Sequence, residues 1–590
     1  MGTGFTIDAP LKVARYGISS VISLLDDVLI EQMRKFHSQK NGLSFRPIRD
    51  HDKDVRASRI TAYLELVNEL VRGQVNDLQS SSFEPGSEIT RYFEMLPDSL
   101  LKDAYIEMRS ATDPSEKAAM QDSLRQYAVP GSIDVNIMTK VDRDHYRRGV
   151  KLPVEYCTAM SALRGYARSP LRSSIIFSAG INQRLYEYAG AFDDFFPNDN
   201  GVLNKKITLK VSDFRSALIQ GKYLAKRGLW VSEYRIESGL NCGGHAFSSG
   251  GSLLGPILSE FKSKRTEMID QLHEMYVGAL LKLNRPSVGS PLDVRVTVQG
   301  GIGTSDEREF LTRYYDLDGT GWGTPFLLVP EVTNVDDAHL EKLRRAREGD
   351  VYLSDVSPLN VPFWNLRESA SEIARRKRLD EGRPGSLCPK GYAAADYEFS
   401  KVPICIASRG YQQLKLKQME NQSLNPEQRR LAWERIVVKS CICHDLAGGA
   451  TVKNKIDPEA VTAVCAGPNI VNFSKIATLE EMISHIYGRL SLLTNPDRPH
   501  MFLRELKLNI EHFQEEFRKS KKGLVARTSK YFLEFKENLE SGVEYYRRLA
   551  DSACGEADEQ KERFLRELDA LMEEIESLLP SATMAAVAAT

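Results

Sequence analysis

The chain has 590 residues, 42% of them hydrophobic, with 79 basic and 80 acidic side chains. That length supports a large core and more than one domain. The even charge argues against a nucleic-acid partner, and the lack of any run of 18 apolar residues argues against a membrane span. The opening MGTGFTIDAPLKVARYG lacks a signal-peptide pattern, so the expected location is the cytosol. There the eight cysteines would be reduced thiols or metal ligands rather than disulfides.

In chain order, eight apolar or β-branched runs alternate with helical patterns over residues 1–335. They are FTIDAP (5–10), GISSVISL (17–24), SIDVNIMT (132–139), SSIIFSAG (173–180), KITLKVS (206–212), GLWVSEYRIES (228–238), DVRVTVQGG (293–301) and DGTGWGTPFLL (318–328). Several read as continuous rather than alternating, the mark of strands covered on both faces. Eight βα units predict an α/β fold, a (β/α)₈ TIM barrel, with an open doubly wound sheet as the competitor. The second and third runs lie about 110 residues apart, and the intervening helical periodicity predicts a helical insertion over about 40–130.

Beyond residue 335 strand signals thin out. Residues 336–475 mix helices with Cys-, Gly- and Pro-bearing turns. Residues 476–579 read as amphipathic helices, and 580–590 as a disordered tail. The terminal helices are expected to pack within the chain, with a homo-oligomer as the other use for them.

Two glycine-rich strand ends stand out. Gly300 and Gly301 precede a helix that Thr304, Ser305 or Asp306 would cap, and Gly323 and Thr324 follow the next strand. Paired on consecutive strands, such loops suit a phosphate. Lys140 and Lys210, at strand ends, would set positive charge near a reduced cofactor or an anionic substrate. His245 follows Gly243 and Gly244, and its ordinary pKa near 6.5 suits proton transfer.

The stretches IDAPL (7–11), DVNIM (134–138), SGLNCGGH (238–245), VQGGIG (298–303) and GWGTPF (321–326) resemble, in order, the motifs of the nitronate monooxygenase (2-nitropropane dioxygenase-like) family. That family includes flavin-dependent enoyl-acyl-carrier-protein reductases. The likeness covers about residues 5–335 and implies an FMN-binding (β/α)₈ barrel. It implies that Ala9, Pro10 and Leu11 lie along the flavin and that Asn136 bonds its ring. Gly243 and Gly244 would pass close to it, Gly300, Gly301, Gly323 and Thr324 would hold its phosphate, and His245 would be the active-site base. The family's glutamine, glutamate and alanine are Ser238, Asn241 and Cys242 here. These departures move the expectation from nitronate oxidation toward flavin chemistry on a small organic or acyl substrate, with NAD(P)H as a possible donor. A non-catalytic barrel that recruits a partner through its terminal helices is the alternative from another class.

Five cysteines fall within residues 388–465, each beside a turn-forming residue. Cys405, Cys441, Cys443 and Cys465 form the expected ligand set, with Cys388 as a substitute. Three readings stand open: a [4Fe–4S] cluster served by a redox partner protein, a structural zinc site, and ordinary buried thiols. Glutamate-synthase-like enzymes set an iron–sulfur cluster beside FMN, which is the alternative enzyme reading.

Overall fold

A computed structural model describes residues 3–147, 149–243, 249–388, 390–495, 497–523, 525–552 and 558–578. Gly244, His245 and the 580–590 tail lie outside the described residues. No helix among the described residues is long and apolar enough to cross a membrane.

The architecture is α/β. Seven strands form one curled sheet: Ser20–Ser23 (β1), Ile133–Ile137 (β2), Ser174–Phe177 (β3), Lys206–Val211 (β4), Val231–Glu237 (β5), Arg295–Gln299 (β6) and Gly319–Gly321 (β7). They are hydrogen-bonded in strict chain order, and every neighbouring pair is parallel. That order is what repeated right-handed βα crossovers produce. Helices Thr158–Ala167, Gln183–Ala189, Phe214–Ala225, Leu254–Lys282 and Ser305–Tyr314 follow β2 to β6 in turn. Several begin at a side-chain cap, as at Asn182, Asp213 and Thr304. The β1–β2 crossover holds five helices between Asp27 and Tyr127.

Two expectations are corrected. FTIDAP is not a strand: it forms turns that lead into the short helix Pro10–Val13. Pro10 stands at a helix start, where its missing N–H costs nothing. Asp8 anchors the turn, meeting Lys12 at 3.0 Å, His37 at 3.2 Å and the Asn334 amide at 2.6 Å. The sheet therefore has two edges, β1 and β7.

The strands also alternate rather than running continuously apolar. Ile22, Val135, Ile175, Leu209, Ile236 and Val298 face outward into the core, together with helix residues such as Leu64, Leu163, Leu224 and Leu258. The intervening positions carry Asp134, Asn136, Thr208, Lys210, Glu233, Arg235, Glu237, Thr297 and Gln299 on the concave side. The layers of branched apolar side chains usual inside such barrels are missing from these positions.

The C-terminal chain is built onto this frame. Helices Met501–Lys521, Ser529–Ser552 and Asp558–Glu576 contribute Phe502, Leu506, Phe513, Phe535, Tyr546 and Leu568 to the same core as the strands. A second core joins the N-terminal turn and the insertion to Val329, Phe363, Trp364, Val464 and Phe473.

Candidate functional site

The concave side of the sheet holds a cavity of about 1290 Å³. Its walls include Asp134, Glu233, Arg235, Thr297 and Gln299, with Ala9 and Cys465 at its margins. Charge on the concave face of the sheet is largely self-compensated. Glu233 accepts from Thr297 at 2.6 Å and from Arg235 at 2.9 Å. Lys210 meets Glu237 at 2.8 Å, and the same carboxylate accepts from Asn241 at 2.7 Å and Gln299 at 2.8 Å. Burial works against the Glu237 charge, but Lys210 and Gln299 outweigh it and hold its pKa below the ordinary value. Lys210 is thus half of a buried pair rather than a free cation.

Asn136, at the C-terminal end of β2, is buried, and its Oδ1 has no hydrogen-bond partner. A buried orphan acceptor is costly unless a ligand or water satisfies it. Of the residues beside it in the expected flavin set, Ala9 lines the cavity, whereas Pro10 and Leu11 are buried in their short helix.

Ser238, in the position of the family's glutamine, donates to Glu505 at 3.0 Å. Glu505 also accepts the Leu254 N–H at 2.8 Å. Its burial is complete enough to push its pKa up to about 7 despite these donors. Gly243 donates its N–H to the Cys465 sulfur at 2.7 Å.

The glycine loop after β6 is occupied by the chain itself. Gly300 has φ +105°, and a Cβ there would lie 2.7 Å from the Asn241 nitrogen, so only glycine permits the approach. Glu307 takes the place of an anion: it accepts the N–H groups of Gly303 and Met501, both at 2.8 Å. Arg498 binds the same carboxylate at 2.7 and 3.0 Å and donates to the Gly301 carbonyl at 3.0 Å. Burial opposes the Glu307 charge, but Arg498 and His500 hold its pKa below the usual carboxylate range. Across the loop, Gly323 faces the Cys242 sulfur, and Thr324 faces Gly467. A flavin ring would find an acceptor in Asn136; a flavin phosphate does not fit the loop at 300–303 as folded. A second cavity of about 210 Å³ lies beyond Gly301, lined by Arg347, Arg498 and Arg504 with Glu348 and Asn469.

The expected cysteine ligands separate into two places. The Cys441 thiol shares hydrogen bonds with Cys388 and Cys443. That sharing with Cys441 brings the Cys388 pKa down to about 6, aided by the N–H groups of Gly391 and Lys390. Burial pushes Cys405 up to about 12, and the nearby Cys443 and Cys388 add to the rise. Cys465 sits instead in the second core, against Gly243 and Cys242. Among the described residues no group of three or more His, Cys, Asp or Glu side chains is placed to hold a metal ion.

The sequence reading missed Glu237, Gln299, Glu307, Arg498 and Glu505. The alternation IDVNI, ITLKV, EYRIE and RVTVQ carried the signal for the polar concave face. Thr304 and Glu307 also have capping-box spacing. Arg498 and Glu505 reach the site from about 190 residues or more beyond their partners, and no local pattern announces them.

No known protein-family model matches this chain, and no curated protein matches it.

Proposed function

We propose that the chain is a flavin-dependent oxidoreductase on a (β/α)₈-type barrel whose first strand is replaced by the 5–13 turn. The observation that carries this reading is an alignment of motifs with strand ends. DVNIM ends β2, SGLNCGG follows β5, VQGGIG follows β6 and GWGTPF spans the end of β7. Ligands of parallel sheets bind at this carboxyl edge. The buried, unpartnered Asn136 Oδ1 at the same edge supports a ring with hydrogen-bond donors.

A bound flavin supplies hydride or electron transfer. The chain's own share would be to bond the ring edge at Asn136, to hold the Lys210–Glu237 pair on the same concave face and to move a proton at His245. The substrate class in this reading is a small organic or acyl compound, NAD(P)H is the electron donor, and the setting is the cytosol. Because Glu307 fills the 300–303 loop, the ring rather than the phosphate would carry most of the affinity.

The test is the visible spectrum of anaerobically purified protein, with flavin bands expected at about 370 and 450 nm. Colourless protein that takes up neither FMN nor riboflavin overturns the reading. The Glu307–Arg498 pair in the phosphate loop favours one second reading, a barrel that serves as a scaffold without catalysis. Failure of flavin uptake would decide for it.

A further inference from the structure

The pocket beyond Gly301 is walled by separate stretches of chain. Leu240 and Gly301 come from the loops after β5 and β6, and Pro468 and Asn469 form another side. The turn at Arg347 and Glu348 and the run from Asn495 to Arg504 close it. Each stretch is fixed by its own bonds. Asp350 accepts the Arg347 N–H at 2.9 Å and holds the turn between the helix Asp337–Arg344 and the strand Val351–Ser354. Asn469 donates to the Ile302 carbonyl at 3.0 Å, which ties the 468–472 turn to the glycine loop. Arg504 stands on the first turn of the Met501–Lys521 helix.

The wall uses its acceptors within the chain and keeps donors to spare. The Asn469 Oδ1 accepts from the Asn472 amide at 2.9 Å, and the Asn495 Oδ1 accepts the Asp497 N–H at 3.0 Å. The Gly301 carbonyl is taken by Arg498 at 3.0 Å. A side-chain amide carries two N–H donors, so Asn472 has a second one left after its bond to Asn469. Of the charged groups, Arg498 is neutralised by Glu307, which leaves Arg347 and Arg504 against Glu348 alone. Arg504 and Glu348 meet at 3.2 Å as an exposed pair, of a kind that contributes little and exchanges readily. Among the described residues the Arg347 guanidinium is in ion-pair contact with no carboxylate.

Two guanidiniums against one carboxylate leave the pocket positive, beside a spare amide donor. The planar N–H fork of arginine matches the oxygens of a phosphate group. The volume of about 210 Å³ falls below the roughly 300–1,000 Å³ of pockets that enclose a whole drug-sized ligand, so the space suits one small anion rather than a flavin. We propose that this pocket binds an oxyanion of the phosphate class, held by Arg347 and Arg504 with the Asn472 amide, while Arg498 stays with Glu307. The bound anion joins the 347–350 turn to the Met501–Lys521 helix across the glycine loop. The same group can arrive as free phosphate or at the end of a larger molecule that stays outside. This site stands apart from the flavin reading and does not need it.

The test titrates inorganic phosphate, pyrophosphate and AMP separately into the full-length chain by isothermal calorimetry, at low ionic strength, where exposed arginines are least screened. Inorganic phosphate or pyrophosphate should bind with a Kd below about 1 mM and raise the thermal midpoint as its concentration passes that value. Chloride at matched ionic strength should do neither. AMP that binds more tightly than inorganic phosphate supports the same pocket with the phosphate carried by a larger ligand. Arg347→Ala and Arg504→Ala should each weaken phosphate about tenfold, the scale of one charge-assisted hydrogen bond. Glu348→Gln removes the opposing carboxylate and should tighten phosphate about threefold, a gain that an unfolded variant cannot imitate. Far-UV circular dichroism identifies any variant that has lost its fold. No binding of any of the three anions at about 10 mM, or wild-type affinity in the folded double variant Arg347→Ala/Arg504→Ala, overturns the proposal. Flavin bands, present or absent, decide only the oxidoreductase reading.

Discussion

Glu307 and Arg498 are bound to each other at 2.7 and 3.0 Å inside the glycine loop after β6, where a phosphate was expected. Both side chains are almost fully buried. The pair joins the sheet to the start of the Met501–Lys521 helix, because Glu307 also accepts the Met501 N–H. It is therefore a seam between the curled sheet and the C-terminal helices as well as an internal substitute for an anion.

Breaking that seam from one side leaves an uncompensated buried charge. Glu307→Gln should cost about 3–5 kcal/mol of unfolding free energy, read as a lower urea midpoint with an unchanged slope. Pairing it with Arg498→Met should recover part of the loss. A loss below about 1 kcal/mol in Glu307→Gln would mean that the pair is screened as a surface pair is.

The same geometry predicts how flavins would be ranked. With the Gly303 N–H already given to Glu307, FMN should bind within about threefold of riboflavin, a difference under 1 kcal/mol. Fluorescence titration of both against the apoprotein measures it. FMN binding a hundredfold tighter would place free phosphate donors somewhere the folded loop does not offer them.

Asn136 separates ligand binding from stability. Its Oδ1 accepts no bond within the chain, so Asn136→Leu should leave thermal unfolding unchanged or slightly raised. Flavin affinity should fall about tenfold, equivalent to roughly 1.4 kcal/mol. A variant that binds flavin as the wild type does would remove Asn136 from the ring-holding role.

Glu505 makes stability depend on pH. Its folded pKa of about 7 lies above the ordinary 4.5, so between those values the folded chain holds a proton that the unfolded chain releases. Its contribution is complete below pH 4.5 and is lost as pH rises through 7, by on the order of 3 kcal/mol. Urea midpoints at pH 5 and pH 8 should show this fall in the wild type, and Glu505→Gln should flatten it. An equal fall in both proteins would assign the slope to other groups, such as Asp134, whose burial also raises its pKa.

For His245, the substitution to alanine should leave flavin bands intact and lower turnover of a nitronate or enoyl thioester at least about 100-fold. Steady-state rates on the flavin-loaded variant read this directly. Turnover that survives the change would require another proton carrier.

The sequence by itself determined the repeating βα rhythm, seven of the eight expected strand positions and the long helical crossover, because each rests on residues within one local period. It also held the alternation of Asp134, Asn136, Lys210 and Glu237 that makes the concave face polar, although the same stretches read as continuous strands. The tertiary structure alone decided what FTIDAP became, since Asp8 is bound by Lys12, His37 and Asn334 from three different segments. It alone sent Cys465 to Gly243 and Cys388 to Cys441. It alone brought Arg498 to Glu307 and Glu505 to Ser238. Side chains that meet across 191 or 267 residues leave no mark in local periodicity, because what joins them is the burial of the surfaces on which they sit.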